Sequence, residues 1–155
     1  MVGTALAREL GLEFIDMDEY ITAKAGMSVS EIFSQFGETH FRALESQAAA
    51  ELSQRSGLVI STGGGAVLNA RNVACFKSGG LIVLLDVPLG VIKQRLDGDS
   101  SRPLLNRPDR DSAMSELFAK RIPHYIAAAD IIVQNSENIP AAAMAELIAD
   151  RIAAL

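Results

Sequence analysis

Leu58-Val59-Ile60-Ser61-Thr62-Gly63-Gly64-Gly65 joins an apolar run to three consecutive glycines. Leu58 to Ile60 is apolar at every position, which reads as a strand covered on both faces rather than one that alternates between core and water. Three glycines at its carboxyl end remove every Cβ, so a ligand can approach the backbone and use its N–H groups, at an entropic cost that a simple turn rarely justifies. A flexible turn is the alternative reading of the same residues. No Lys follows the glycines, so the stretch is not a nucleotide P-loop.

Similar apolar runs recur at Phe14 to Asp16, Leu81 to Val87 and Ile131 to Val133. Between them stand segments with helical spacing: Leu44, Ala48 and Leu52; Met114, Leu117, Phe118 and Ile122; and Met144, Leu147, Ile148, Ile152 and Leu155. Apolar strands alternating with amphipathic helices predict a parallel sheet joined by right-handed crossovers and covered on both faces, a three-layer α/β domain. Ser28 and Glu31 are spaced as a capping box with Met27 and Ile32 as its hydrophobic staple, so a helix should begin at Val29. Asp111 or Ser112 is placed to cap the Met114 helix. Val2, Leu6 and Leu10 share one helical face, so a further helix starts at the first residues without a side-chain cap.

The 155 residues suit one globular domain. Apolar residues make up 49% and charged residues 21%, which excludes a disordered chain, and no run approaches the 18 apolar residues of a membrane span. A net charge of −5 argues against a general nucleic-acid binder. The single cysteine, Cys75, has no partner for an internal disulfide and reads as a packed small residue, and the N-terminus lacks the order of a signal peptide, so the expected compartment is the cytoplasm. His40 and His124 have no ligand spacing around them and read as structural or surface residues.

Other candidates come from charge. Asp16 and Asp18 stand one residue apart where an apolar strand ends, the edge at which α/β sheets bind ligands, and can serve a metal ion, a hydroxyl-bearing substrate, or both. A solvated turn with Asp18 capping the next helix is the alternative. Residues 93–121 hold seven of the fourteen Lys and Arg and five of the nineteen acids, so that segment is at +2 and the remainder at −7. Within it Arg102-Pro103-Leu104-Leu105 and the following residues to Arg110 read as a loop, and Arg on a loop can clamp a transferring phosphate; a solvated helix face is the competing account. Arg42 and Arg121 carry guanidinium forks that match a carboxylate, or form surface ion pairs, Arg42 with nearby Glu45.

In order and spacing these pieces resemble the shikimate kinase family, with its P-loop, nucleoside-monophosphate-kinase-like fold. The resemblance rests on Phe14 to Asp18, Gly26-Met27-Ser28 with Glu31-Ile32-Phe33, Gly37-Glu38 then Phe41-Arg42 and Glu45, Thr62 to Gly65, Arg102 to Leu105, and Arg121-x-Pro123-x-Tyr125. It implies transfer of the γ-phosphoryl group of ATP, with Mg²⁺, to the 3-hydroxyl of shikimate, a step of aromatic amino-acid biosynthesis. By the same match, Asp18 binds shikimate hydroxyls and orients or deprotonates the nucleophile, and Asp16 supports Mg²⁺. Arg42 and Arg121 grip the substrate carboxylate, and Gly63, Gly64 and Gly65 lie against the ring. Arg102 neutralises phosphate charge from a lid loop around 98–111, while Arg95, Asn138 and Pro140 flank adenine. The implied partner is a small molecule, with no nucleic acid or membrane, and the chain is expected to act as a monomer.

The match departs from the family at one point. The family carries G-x-x-x-x-G-K-[ST] between its first strand and first helix, and nowhere in this sequence does Gly precede Lys. The expectation is therefore a fold without its first, central strand, and a chain inactive as written. The favoured account is an internal Met1, with roughly 15 further residues supplying the strand and the phosphate loop. Alternatives are a non-catalytic paralogue that binds a small hydroxy acid or a protein partner, and another small-molecule kinase such as a gluconate kinase.

Overall fold

The computed structural model describes residues 1–95, 108–135 and 139–155. Helix α1 (Val2–Leu10) leads into strand β1 (Glu13–Asp16), helix α2 (Met17–Ala25) and the long helix α3 (Val29–Leu52). Strand β2 (Leu58–Ser61) is followed by the glycines, a 3₁₀ turn (Ala66–Leu68) and α4 (Ala70–Lys77). Then come β3 (Val83–Asp86), α5 (Leu89–Arg95), α6 (Arg110–Ala128), β4 (Ile131–Gln134) and α7 (Ala141–Ala153).

The strands are parallel, as their apolar runs predict: β1 pairs with β2, Glu13 opposite Leu58 through Asp16 opposite Ser61, and β3 pairs with β4, Val83 opposite Ile131 through Asp86 opposite Gln134. Residues alternate between two cores. Ile15, Leu58 and Ile60 pack against Met17, Ile21, Ile32, Phe41, Ala48 and Leu52 on the α2–α3 side. Val59, Val83 and Leu85 pack against Leu6, Met144, Ala145 and Ile148 on the α1–α7 side. Helices on both faces of parallel strands are the expected three layers.

Among the described residues the four strands form two two-stranded sheets, because β2 and β3 are not hydrogen-bonded to each other, the gap expected of a sheet without its central strand. A cleft of about 250 Å³, lined by Leu58 and Ile60 on one side and Ile82 and Val83 on the other, lies between them. Every residue of β2 and β3 is accordingly only half-buried, whereas Ile131 and Val133 of β4 are buried.

Local signals explain the elements to different degrees. The capping box forms as expected: Ser28 Oγ accepts from Glu31 N at 3.2 Å, Glu31 Oε2 accepts from Ser28 N at 2.7 Å, and α3 begins at Val29. Within α3, Gly37 adopts φ 81° and ψ 173°, a left-handed conformation that side chains resist, and it kinks the helix before Arg42. Helix α6 starts at Arg110, earlier than expected, and neither Asp111 nor Ser112 caps it, for Asp111 instead accepts from Lys93 of α5 at 2.9 Å. On α7 the buried stripe is Met144, Ala145 and Ile148, while Leu147, and Leu155 beyond the helix end, face solvent.

Helices α2 and α3 are tied by Glu51, whose carboxylate accepts from Lys24 at 2.5 Å, Tyr20 at 2.7 Å and Gln47 at 3.0 Å. Those hydrogen bonds, Lys24 first, hold its pKa down to about 2. A depressed carboxylate contributes stability that is present above its ordinary value of 4.5 and lost as pH falls from there toward 2. Glu51→Gln is therefore expected to lower the urea midpoint at pH 7 and to approach the parent protein at pH 2.5. An equal gap between the two urea curves at both pH values would show that Glu51 acts through packing instead.

Candidate active site

The carboxyl ends of β1 and β2 are adjacent, so the residues that follow each strand meet. After β1, Asp16 ends the strand and is the N-cap of α2: its Oδ1 accepts from Asp18 N at 2.9 Å and from Glu19 N at 3.2 Å. Asp16 thus makes the cap that one reading gave to Asp18, and it leaves Asp18 projecting from the first turn of α2 toward the glycines.

Each glycine of the triplet faces a different charged or polar side chain. A Cβ at Gly63 would stand 3.2 Å from Asp18 Oδ1 and 3.4 Å from Glu45 Oε1. One at Gly64 would stand 2.8 Å from Tyr125 Oη and 3.1 Å from Arg121 Nη1. One at Gly65 would fall inside the Arg42 guanidinium, with Nη2 at 2.7 Å. The approach is closest at Gly65, next at Gly64 and looser at Gly63, and the three glycines collect residues from α2, α3 and α6 around one loop.

The loop's own hydrogen bonds are one-sided. The carbonyl of Gly63 accepts from Ala66 N at 3.1 Å, that of Gly64 from Tyr125 Oη at 2.7 Å, and that of Gly65 from Leu68 N at 3.2 Å. Among the described residues, the N–H groups of Gly63, Gly64 and Gly65 make no hydrogen bond. A loop whose acceptors are satisfied and whose donors are not is a surface for oxygen atoms of a ligand.

Two cations flank those donors. Arg42 donates to Glu45 Oε2 at 2.5 Å and to Glu38 Oε1 at 3.1 and 3.3 Å. The pairing with Glu45 was the bland expectation for Arg42, but Glu45 is only 2% exposed and belongs to the core face of α3 with Phe41, Ala48 and Leu52. Burial pushes its carboxyl upward and nearby Asp18 adds to this, while Arg42 and Arg121 oppose it. Arg121 contributes a second guanidinium from α6, and among the described residues its Nε is buried without a hydrogen-bond partner. A buried donor without an acceptor is uncommon and calls for a ligand or a functional account.

Other candidates are dispersed. Arg95 closes α5, and nothing is described of its side chain. Arg102, Asn138 and residues 98–107 of the expected lid lie outside the described residues. Pro140 is the N-cap residue of α7. Of the cationic stretch, Arg121 reaches the glycines, whereas Lys93 is paired with Asp111. His40 is exposed and stacks on Phe36 at 4.9 Å, His124 is exposed, and Cys75 is half-buried in α4. Sequence reasoning passed over Glu45 and Tyr125 as functional residues. The signal for Glu45 was a carboxylate on an otherwise apolar stripe, and for Tyr125 its position one turn beyond Arg121.

Chemically, two guanidinium groups, a projecting carboxylate and a row of backbone donors suit a small molecule with one carboxylate and several hydroxyl groups. Among the described residues no group of three or more His, Cys, Asp or Glu converges to hold a metal. Asp16 keeps Oδ2 outside its cap, which fits a Mg²⁺ ion carried mainly by nucleotide phosphates and water, for such an ion needs one or two protein carboxylates. No helix among the described residues is long and apolar enough to cross a membrane.

Comparison with known proteins agrees with this arrangement. The family model described as shikimate kinase matches residues 1–152. Shikimate kinase of Xanthomonas campestris pv. campestris strain 8004 is 39% identical over 147 residues, covering 95% of this chain and 82% of the relative. That of Geobacter sulfurreducens is 43% identical over 135 residues, covering 87% and 74%. Among solved structures, shikimate kinase from Acinetobacter baumannii in complex with shikimate superposes with a TM-score of 0.92 at 36% identity, covering 99% of this chain and 85% of that one. Shikimate kinase from Aquifex aeolicus superposes with a TM-score of 0.84 at 35% identity, covering 98% and 88%.

Proposed function

We propose that this chain, which belongs to the shikimate kinase family, binds shikimate against Gly63, Gly64 and Gly65 with the residues that serve ATP-dependent phosphorylation of its 3-hydroxyl in aromatic amino-acid biosynthesis, while the chain as written, in which no Gly precedes a Lys, is inactive in that transfer. The observation that carries the substrate side is the glycine triplet, whose three positions face Asp18, Arg121 and Arg42 in turn. Arg121 and Arg42 bind the carboxylate, as forks matched to its two oxygens. The glycine N–H groups take ring oxygens. In the family's transfer Asp18 would orient the 3-hydroxyl and accept its proton as that oxygen bonds to the γ-phosphorus and the bond from phosphorus to the β,γ-bridging oxygen breaks.

ATP is the family's phosphoryl donor, and Mg²⁺ bound with it supplies charge neutralisation on the phosphates. Asp16 would hold that ion from the end of β1. Arg102, Arg95, Asn138 and Pro140 keep the nucleotide-side roles that their motif positions imply. On this proposal the chain is a single domain over residues 1–155 with a lid loop around 98–111, working as a cytoplasmic monomer on small molecules.

Calorimetric titration tests the substrate side. Shikimate is expected to bind, and its methyl ester, with the carboxylate masked, to bind at least about tenfold more weakly, because a charge-assisted pair is lost. Equal affinity for acid and ester would remove the arginines from the site.

A further inference from the structure

We propose that Tyr125 is a positioning residue that sets the orientation of the glycine donors, an inference that rests on the substrate site above. Tyr125 Oη donates to the Gly64 carbonyl at 2.7 Å. The neighbouring carbonyls are held by amides of the 3₁₀ turn a few residues away, whereas Gly64 is held by a side chain 61 residues distant in sequence. In a trans peptide the C=O and the next N–H point in opposite directions, so anchoring the Gly64 oxygen aims the Gly65 N–H away from Tyr125. Without that anchor, three glycines in a row have no side chain to restrict φ and ψ, and the donors scatter over many directions.

Tyr125 and Arg121 stand four residues apart on α6, one helical turn, and their Oη and Nη1 are the two nearest neighbours of the absent Gly64 Cβ. One face of one helix thus fixes both the guanidinium offered to the carboxylate and the peptide offered to the ring. The two halves of substrate recognition keep their spacing because they share a rigid element. Pro123 lies between them and leaves the Ala119 carbonyl without its usual helical N–H, a break in the ladder at the turn that faces the loop.

The test is Tyr125→Phe in the full chain, which keeps the ring and removes the hydroxyl. Backbone order parameters of Gly64 and Gly65, read by ¹⁵N relaxation without ligand, are expected to fall from about 0.85 toward 0.6, while those of β1 and β4 hold. Shikimate affinity is expected to fall about fivefold, the loss expected from one ordinary hydrogen bond. Unchanged Gly64 and Gly65 order parameters overturn the positioning role, whatever the ligand does. Lowered order parameters with unchanged affinity overturn its service to the substrate, and a general fall across β1 and β4 assigns Tyr125 to stability instead. If the parent chain does not bind shikimate, the substrate reading fails, and the glycine order parameters still decide whether Tyr125 orders the loop.

Discussion

Arg121→Ala is expected to weaken shikimate binding about 100-fold without lowering thermal stability. The affinity loss follows from chemistry: truncating one member of a desolvated, hydrogen-bonded charge pair costs about 2 to 5 kcal/mol, and each 1.4 kcal/mol is tenfold. The stability half follows from the fold. Among the described residues Arg121 Nε is buried without an acceptor, a desolvated donor that the unfolded chain solvates. Removing it relieves that cost, and the melting temperature should hold or rise, as sites kept for binding at the expense of stability do. Arg121→Lys restores a charge without the fork and should recover only part of the affinity. Calorimetry and thermal melts on the three proteins are the measurements. An unchanged dissociation constant would remove Arg121 from the site, and a loss of affinity matched by a lower melting temperature would make it a structural residue.

The local part of the fold was legible because its determinants are close in sequence. Ser28 and Glu31 carry α3's start within one turn, and the apolar runs at Phe14, Leu58 and Ile131 carry their strands to within a residue or two. The start of α6 was not legible, since what Asp111 does depends on Lys93, 18 residues away and on another helix. The gap between the two strand pairs was legible only from the lack of a central strand, for an apolar strand by itself reads the same whether one edge is paired or both. Leu147 shows the limit of periodicity: it fits the spacing of α7, but α1 covers a stripe centred on Met144 and Ile148, and Leu147 falls outside it.

In the site, the glycine triplet was readable as a place of close approach, though not what approaches it. Asp18, Arg42 and Arg121 are spread over more than 100 residues of sequence, and only the parallel pairing of β1 with β2 and the crossing of α6 over the 3₁₀ turn bring them to successive glycines. Glu45 was misread because spacing to Arg42 gives an ion pair without telling on which side of the helix it lies. The core face of α3 makes the difference between a surface pair and a buried carboxylate that holds a binding arginine.

That buried carboxylate makes Gly65→Ala the most informative single substitution in the site. The added Cβ would occupy the space of the Arg42 guanidinium. Arg42 sits at the end of a flexible side chain and can swing away, but only by leaving Glu38 and Glu45 together. Glu45, 2% exposed, then has a buried charge without its partner. Breaking a fully buried pair costs 3 to 5 kcal/mol; with Arg42 29% exposed, about 2 kcal/mol is expected here. Shikimate affinity should fall about 100-fold, since one of the two carboxylate forks is gone. The pH dependence identifies the cause. Burial already raises the Glu45 carboxyl above its ordinary value of 4.5, so the stability linked to its proton is complete below 4.5 and lost as pH rises through the folded value. Displacing Arg42, which opposes that rise, pushes the carboxyl further up and steepens the loss toward neutral pH. Adding Glu45→Gln to Gly65→Ala removes the ionisation and should flatten the pH profile, while affinity stays low because Arg42 is still displaced. Urea midpoints between pH 4 and 8 with shikimate titrations on both variants measure this, and a pH profile unchanged by Glu45→Gln would place the cost of Gly65→Ala in the loop backbone rather than in the Arg42–Glu45 pair.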